Sequence, residues 1–307
     1  MVLTNKNDCS IMNLFEPQHY LVIYLCLVSQ IMGGATVAQN SSIEWTDHTF
    51  NPWWGCTKVS PGCKHCYAET LSNRYGHDIW GPRKARRTFG EKHWQEPLKW
   101  HRLAVEQGRR MRVFCASMAD VFEDNRSVEE EREKLWRLIE ETPMLDWLLL
   151  SKRPENMLKL APWRDSWHAN VWAMTSVENQ EEAEKRIPEL LKVPAVVRGL
   201  SVEPLLGPVD LSPWLTELQW IIVGGESGPN ARPMKPDWAL QVRDQCKDTG
   251  VAFFLKQWGE WAPSNTSTSS QFTMTRMGKR FAGRLLDGKL WDQLPTPKAH
   301  HVLSYSE

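Results

Sequence analysis

Short apolar runs alternate with longer amphipathic segments through most of this chain. The runs combine β-branched, aromatic and other apolar residues over four to eight positions, which is typical of strands. Six of them recur, at 112–117, 147–151, 171–176, 195–202, 220–223 and 251–255. Because they are mostly apolar without a break, they predict strands buried on both faces, as in a parallel sheet.

Helix-like segments separate these runs, at 91–107, 127–141, 179–191 and 235–248. Ser127 and Glu130 form the pattern of a capping box, and Gly250 is placed to end the last segment before its strand. Repeated strand-then-helix units predict an α/β fold, a complete or partial TIM-like (β/α) barrel. An open doubly wound sheet is the alternative that the same order of elements permits.

The two ends of the chain differ from this pattern. Residues 20–32 are strongly apolar but too short to span a bilayer, so we expect no membrane association. They fit either a signal-peptide core or, as we favour, a reading frame opened upstream of a true start at Met32. We therefore expect a doubtful leader at 1–40 and the barrel at 41–263. A polar linker and a small C-terminal β appendage with turns at 277–278 and 287–288 should occupy 264–307.

The composition narrows the class of protein. With 41% hydrophobic residues, the chain can bury enough surface to fold, which excludes disorder. Lys and Arg (37) balance Asp and Glu (37), so no net charge attracts nucleic acid from a distance. Seven Cys in a chain this long indicate reduced thiols and a cytoplasmic protein. Seventeen Trp fit a filled core or stacking platforms equally well.

Polar residues and glycines cluster where the predicted strands end. In parallel α/β folds the carboxyl ends of the strands form the functional face, so these residues predict a shared pocket. For any single one, a helix cap or a turn is an adequate explanation. The candidate binding residues are Ser117, Asp120, Ser151, Lys152, Glu178, Glu203, Gly224, Gly225, Glu226 and Lys256.

Three cysteines form the strongest motif. Cys56, Cys63 and Cys66 are spaced C-x6-C-x2-C, and the Pro61-Gly62 turn can fold the first thiol towards the other two. Thiolates on one loop are ligands for soft metals. Zinc would need a fourth ligand, for which a nearby histidine could serve, whereas a [4Fe-4S] cluster held by three cysteines would leave one iron open. The histidines in question are His65 and His77.

Eight further motifs accompany the cysteine loop, at 42–47, 51–53, 117–122, 151–154, 176–179, 201–205, 224–228 and 256–260. In combination, from about residue 41 to 295, they resemble the phage-associated three-Cys-motif proteins. That family is radical SAM-like, occurs on phages and other mobile elements, and is often encoded beside a partner called TcmP.

The resemblance implies an iron–sulfur enzyme. In radical SAM enzymes a three-cysteine [4Fe-4S] cluster binds the amino and carboxylate groups of S-adenosylmethionine (SAM). An electron from a donor then breaks a sulfur–carbon bond and releases a 5′-deoxyadenosyl radical. Cys56, Cys63 and Cys66 would be the cluster ligands. The strand-end residues would hold SAM, with Asp120 and Glu178 as candidates for its amino or hydroxyl groups because carboxylates accept such hydrogen bonds.

Two features depart from the common radical SAM pattern. The usual loop is C-x3-C-x2-C with an aromatic residue before the last cysteine, whereas here the first spacing is six and His65 stands at that place. The Gly224-Gly225-Glu226 motif resembles one that radical SAM enzymes carry on their second strand, yet here it follows a late strand. Its role therefore does not transfer by position.

Charge is unevenly distributed along the chain. Residues 83–112 are rich in Lys and Arg, with Arg83, Lys84, Arg86 and Arg87 almost contiguous, while residues 120–146 are acidic. Basic residues interleaved with indoles can bind a nucleic-acid backbone and stack bases. Solvated helix faces explain such charge equally well. Nucleic acid is thus an expected partner through 83–112. The nearby indoles are Trp80, Trp94 and Trp100.

Overall fold

In the computed structural model, residues 37–39, 41, 43–264 and 273–296 are described. One sheet contains eight strands in chain order. The first two pair antiparallel and all later neighbours pair parallel. The strands are β1 (Val37–Gln39), β2 (His48–Phe50), β3 (Met111–Cys115), β4 (Leu145–Ser151), β5 (Val171–Ser176), β6 (Val197–Val202), β7 (Trp220–Gly224) and β8 (Ala252–Gln257).

The order of the strands decides between the two expected architectures. A doubly wound sheet reverses its strand order near the middle, whereas here each strand pairs with the next one in the chain. The seven parallel strands β2–β8 curl into a half-barrel. The prediction of a partial TIM-like barrel is therefore confirmed, and the six predicted strands correspond to β3–β8.

Helices connect most of the neighbouring parallel strands, and a 3-10 turn, Leu215–Glu217, lies between β6 and β7. The predicted helix at 91–107 is divided at Gln95, because Pro97 lacks the N–H that would continue the first helix and begins the second one instead. The helices are α1 (Tyr67–Arg74), α2 (Glu91–Trp94), α3 (Glu96–Glu106), α4 (Glu129–Glu141), α5 (Met157–Leu160), α6 (Gln180–Leu191), α7 (Pro236–Thr249) and α8 (Lys279–Ala282).

One of the two predicted helix boundaries is wrong. The capping box at Ser127 does not form: the side chain of Asn125 accepts hydrogen bonds from the backbone N–H and the hydroxyl of Ser127 instead. A 3-10 turn, Arg126–Val128, then leads into α4. Gly250 ends α7 in the left-handed region, with φ of 74°, as predicted.

The two faces of the sheet bury different clusters. The outer face packs against the helices, and the concave face carries a smaller cluster that includes Trp45, Trp172 and Trp220. Twelve of the seventeen Trp side chains are buried, and none of the other five is fully exposed. Core filling therefore accounts for most of the tryptophan content.

The C-terminal segment forms the small β appendage expected there. Two hairpins pair β9 (Trp261–Ser264) with β10 (Thr273–Arg276) and β11 (Leu285–Leu286) with β12 (Lys289–Leu290). Ser264, predicted to open the linker, belongs to β9, and the rest of the predicted linker lies outside the described residues.

The expected N-terminal leader lies mostly outside the described residues, although β1 at 37–39 already belongs to the sheet. Within the described part of the chain, no helix combines the length and the apolar character needed to cross a membrane.

Candidate metal centre

The cysteine motif lies on residues 55–66, which we call the cysteine loop. The loop begins at the end of β3, where the Gly55 N–H donates to the carbonyl of Met118 (3.0 Å), and it ends at the start of α1. A 3-10 turn, Pro61–Cys63, follows Cys56 and ends at Cys63, which matches the turn expected at Pro61-Gly62. The cysteine loop has three free thiols that are half-buried, those of Cys56, Cys63 and Cys66.

Charged groups at the ends of β3 and β4 hold the start of this loop. The Arg153 guanidinium donates to the Thr57 carbonyl (2.6 Å) and lies 3.7 Å from the Cys56 sulfur. Asp120 accepts from Arg153 (2.8 Å), from the Ser151 hydroxyl (2.7 Å) and from the backbone N–H of Lys152 (3.1 Å). Both oxygens of Asp120 are therefore occupied by donors from the protein, one of which is Arg153.

Glu178, at the end of β5, holds the middle of the loop. Its carboxylate is completely buried and accepts from the Ser60 hydroxyl (2.8 Å) and the Arg186 guanidinium (2.9 Å). The Lys152 ammonium lies 3.5 Å away. Gly62 rests directly on this carboxylate, since a Cβ at that position would be 2.2 Å from Oε1. Oε1 of Glu178 thus holds the loop through Ser60, while Arg186 on α6 holds Oε2.

A third set of contacts to the cysteine loop lies after β7, at Glu226 and Arg232. Glu226 accepts from the Arg232 guanidinium (2.6 Å) and pairs with Nδ1 of His65 (3.3 Å), while Arg232 also donates to the Pro61 carbonyl (3.0 Å). Burial by itself raises the pKa of Glu226, but the hydrogen bonds from Arg232 and His65 hold it below its ordinary value. The cysteine loop is in this way tied to the ends of β3, β4, β5 and β7.

Glu203 and Lys256 form a separate pair at the ends of β6 and β8. The Lys256 ammonium lies 2.9 and 3.0 Å from the two oxygens of Glu203, and the Gln257 amide donates to the same carboxylate (3.2 Å). Both charged side chains keep partial exposure, 19% for Glu203 and 14% for Lys256. Among the described residues, the Glu203–Lys256 pair makes no hydrogen bond to the cysteine loop, unlike the groups around Arg153, Glu178 and Arg232.

The two glycines at the end of β7, Gly224 and Gly225, are closely packed. A Cβ on Gly225 would stand 2.0 Å from the Trp258 carbonyl oxygen, and one on Gly224 would stand 3.0 Å from the Glu203 carboxyl carbon. Glycine at 225 therefore permits the close approach of the segments after β7 and β8. Ser117 lies beside the loop, where its carbonyl accepts from the exposed Tyr67 hydroxyl (2.8 Å).

Burial shifts the pKa values of two of the motif thiols. Burial raises the pKa of Cys56 to about 12, and the nearby Asp120 carboxylate adds to the shift, while Arg153 opposes it. Burial also raises the pKa of Cys66, which Lys152 opposes. Because metals bind thiolates, metal binding would release the protons of these thiols and leave negative charge on the sulfurs. Arg153 near Cys56 and Lys152 near Cys66 are placed to compensate that charge.

The basic segment differs from the expectation at several positions. The Arg86 side chain is fully buried and forms a two-point ion pair with Glu123 (2.7 and 3.1 Å), and Arg87 lies over the Trp54 ring at 4.9 Å. Trp94 and Trp100 belong to the core and offer no stacking surface. Only Arg83 and Lys84 of the four basic residues are exposed, and Lys84 pairs with Asp78.

Within 43–264 and 273–296, no three His, Cys, Asp or Glu side chains converge as ligands of a single metal ion. The donor set nevertheless fits an iron–sulfur cluster, because three free thiols share one fastened loop with a guanidinium at one sulfur. Arg186 and Arg232 escaped the sequence analysis, and Arg153, although part of the motif at 151–154, was not among the candidate binding residues. Their signal was weak, since an arginine beyond a strand end is more often solvated than buried.

Comparison with known proteins places the chain in a family. The family described as "Protein of unknown function (DUF5131)" matches residues 40–295. The chain belongs to this family. The phage three-Cys-motif assignment and the TcmP partner stay predictions. No curated protein matches the DUF5131 chain.

Solved structures of spore photoproduct lyase are distantly similar to the DUF5131 chain. A point mutant has a TM-score of 0.47 at 11% identity, covering 71% of this chain and 78% of the lyase. A second point mutant has a TM-score of 0.45 at 11% identity with the same coverage. A double mutant with bound AdoMet and dinucleoside spore photoproduct has a TM-score of 0.39 at 13% identity, covering 66% and 62%.

Proposed function

We propose that this chain is a radical SAM-type iron–sulfur enzyme. Cys56, Cys63 and Cys66 bind a [4Fe-4S] cluster, and SAM binds beside it at the strand ends. The observation that carries the proposal is the cysteine loop itself: three free thiols lie on one segment that is fastened over the carboxyl ends of four parallel strands. In (β/α) barrels this face is where catalysis takes place.

The residues divide into two roles under this proposal. Asp120, Glu178 and Glu226 position the cysteine loop, because their oxygens are occupied by protein donors. Glu203 and Lys256 are free of the loop and partly exposed, so they are the better candidates to bind the charged ends of SAM. A carboxylate accepts from an ammonium group and an ammonium donates to a carboxylate, which matches the amino acid part of SAM.

When bound, the cluster would supply one electron, received from an external donor, to break a sulfur–carbon bond of SAM. The protein would contribute orientation and exclusion of water. The buried positions of Arg153 and Glu178 fit that task, because each holds the loop through hydrogen bonds that solvent does not weaken.

The substrate that we favour is nucleic acid. Of the nearly contiguous cations Arg83, Lys84, Arg86 and Arg87, the first two are exposed, and they lie in the stretch that follows the cysteine loop. We expect DNA or RNA binding that weakens with salt and is reduced by Arg83→Gln with Lys84→Gln. Arg86 is unsuitable for this test since its neutralisation would break a buried ion pair. A TcmP-type protein and a one-electron donor are the proposed partners.

Anaerobic reconstitution tests the proposed enzyme. The full chain treated with iron and sulfide should show iron–sulfur absorbance and, with SAM and a reductant, should form 5′-deoxyadenosine. Cys63→Ser should lose most of the iron and all product. Cys246→Ala, which removes a buried thiol far along the chain on α7, should keep both. A wild-type chain without iron uptake contradicts the proposal.

One observation favours a second candidate, a zinc-stabilised binding or adaptor protein. Metal-ligating histidines usually donate their other ring N–H to a carboxylate, and His65 has such a contact with Glu226. His65 would then join the three cysteines as the fourth ligand. Stoichiometric zinc in the purified chain, with no iron uptake after reconstitution, would favour this candidate over the enzyme.

A further inference from the structure

Arg153 is placed unusually close to a motif sulfur. Its side chain is 9% exposed and begins two residues after β4, yet its guanidinium reaches the cysteine loop. Nη1 lies 3.7 Å from the Cys56 sulfur and 2.8 Å from an Asp120 oxygen, and Nη2 donates to the Thr57 carbonyl at 2.6 Å. The guanidinium has five N–H donors in a rigid planar fork, so it meets these three groups in directions that are fixed, whereas the three donors of an ammonium sit on one nitrogen.

Asp120 fixes the direction of this fork. Its four donors include the Ser151 hydroxyl and the backbone N–H groups of Lys152 and Phe122, so the carboxylate cannot rotate away from Arg153. The pair as a whole is close to neutral, but its positive end faces sulfur. A buried dipole of fixed direction acts strongly at short range because little water screens it.

Among the described residues, the other arginines of the site make no hydrogen bond to a motif sulfur. Arg186 is bound to Glu178 and Glu182, and Arg232 is bound to Glu226 and the Pro61 carbonyl. Within the described residues, Arg153 is thus the guanidinium hydrogen-bonded to a motif thiol.

We propose that Arg153 is a positioning residue that raises the reduction potential of the cluster through Cys56, an inference that rests on the proposed function. A one-electron donor reduces the cluster, which gains one negative charge while no bond forms or breaks. Hydrogen bonds to ligand sulfurs and nearby positive charge stabilise that added charge, and these are the factors that set cluster potentials. Arg153 supplies both at one sulfur.

The test is an EPR-monitored redox titration of the reconstituted full-length chain. Arg153→Gln should make the midpoint potential more negative, so that at a fixed solution potential the ratio of reduced to oxidised cluster falls about tenfold, or about 59 mV for one electron. Arg153→Lys keeps the positive charge but lacks the planar guanidinium, so its midpoint potential should lie between those of the wild type and Arg153→Gln. Iron content per chain is measured in parallel as a readout of loop integrity.

Thr57→Val is the matched control. It removes the contact between the Thr57 hydroxyl and Arg86 (3.0 Å) in the same loop but leaves the Arg153 contacts in place. Its potential should equal that of the wild type. An equal shift in Thr57→Val and Arg153→Gln would mean that loop distortion sets the potential, and this would overturn the inference.

The remaining outcomes are also decisive. An unchanged potential in Arg153→Gln with normal iron content overturns the role of Arg153 and leaves the proposed function standing. A wild-type chain that binds no cluster overturns both. If Arg153→Gln loses its cluster, Arg153→Lys decides: a potential below the wild type supports the inference, and an identical one overturns it.

Discussion

Buried charged groups determine where the cysteine loop sits. Glu178 is inaccessible to solvent, and a carboxylate so placed is tolerated only when partners compensate its charge. Arg186, Ser60 and Lys152 supply that compensation from α6, from the loop and from the end of β4. The position of the sulfurs therefore depends on a few side chains that are not themselves ligands.

Glu178→Gln should lower the free energy of unfolding by about 3 kcal/mol, because it leaves the buried Arg186 undercompensated. Urea unfolding followed by circular dichroism measures the change. Glu184→Gln alters an exposed carboxylate on α6, the helix that carries Arg186, and should change stability by less than about 0.5 kcal/mol. Equal midpoints for the two variants would contradict the structural role of Glu178.

Asp47 provides a pH-dependent contribution. Burial by itself raises the pKa of Asp47, but the backbone N–H of Arg112 (2.8 Å) and the Arg109 guanidinium (3.0 Å) bring it below its ordinary value. A lowered folded-state pKa stabilises the protein above the unfolded value of about 3.9, and this stabilisation is lost as the pH falls through the folded value.

Asp47→Asn should therefore cost about 1–2 kcal/mol at pH 7. The difference from the wild type should shrink below about pH 4. Unfolding midpoints measured between pH 7 and pH 3 test this, with the exposed Asp165→Asn as the comparison. A difference that stays constant down to pH 3 would show that the charge of Asp47 does not contribute.

At the scale of elements, the ends of β7 and β8 pack without room for side chains. Gly225 approaches the Trp258 carbonyl, and Gly259, with φ of 84°, approaches the Glu226 carbonyl, where a Cβ would be 2.1 Å away. The β9–β10 hairpin supports the same segment, since the Trp261 indole donates to the Ala231 carbonyl at 2.7 Å. These contacts position Glu226 against the cysteine loop.

Gly225→Ala should destabilise the chain by about 2–4 kcal/mol, because backbone atoms of β8 and its turn would have to move. Gly207 has open space around it and a φ that other residues adopt, so Gly207→Ala should be within about 1 kcal/mol of the wild type or slightly more stable. Thermal unfolding of both variants tests the comparison, and a neutral Gly225→Ala would refute the close packing.

At the scale of the whole molecule, a half-barrel leaves two sheet edges that need cover. β1 pairs along one of them. At the other, the N–H of Leu255 donates to the Trp291 carbonyl (2.8 Å), and Phe253 exchanges hydrogen bonds with Gln293. Uncovered strand edges pair with other chains and cause aggregation. The C-terminal segment therefore covers the β8 edge of the sheet, while the cysteine loop covers the carboxyl ends of the strands.

A chain that ends at residue 290 should lose this cover of β8. We expect a lower melting temperature and a larger aggregated fraction in size-exclusion chromatography with light scattering. A chain that ends at residue 296 keeps Trp291 and Gln293 and should remain monodisperse if the full chain does. Equal behaviour of the two truncated chains would show that the edge needs no cover.

The sequence by itself determined the fold class and the metal-ligand candidates. Apolar runs recur at strand length and helical segments separate them, so local patterning is enough to predict the βα units and, through them, β3–β8. The three cysteines lie within eleven residues of the sequence, so they could be recognised as a group without tertiary information. β1 and β2 were missed because three residues are too few to form a pattern.

Only the tertiary structure showed which partners the polar residues have. Asp120, Glu178 and Glu226 were predicted to bind a ligand, and in the fold each also meets an arginine, which is 33 residues away for Asp120 but eight and six residues away for Glu178 and Glu226. The contacts of Glu178 with Ser60 and of Arg232 with Pro61 span 118 and 171 residues, so they could not be read from local sequence. Arg86 looked like part of a nucleic-acid surface and is buried against Glu123. Burial and charge pairing are properties of the folded chain, because they depend on which segments the sheet brings together.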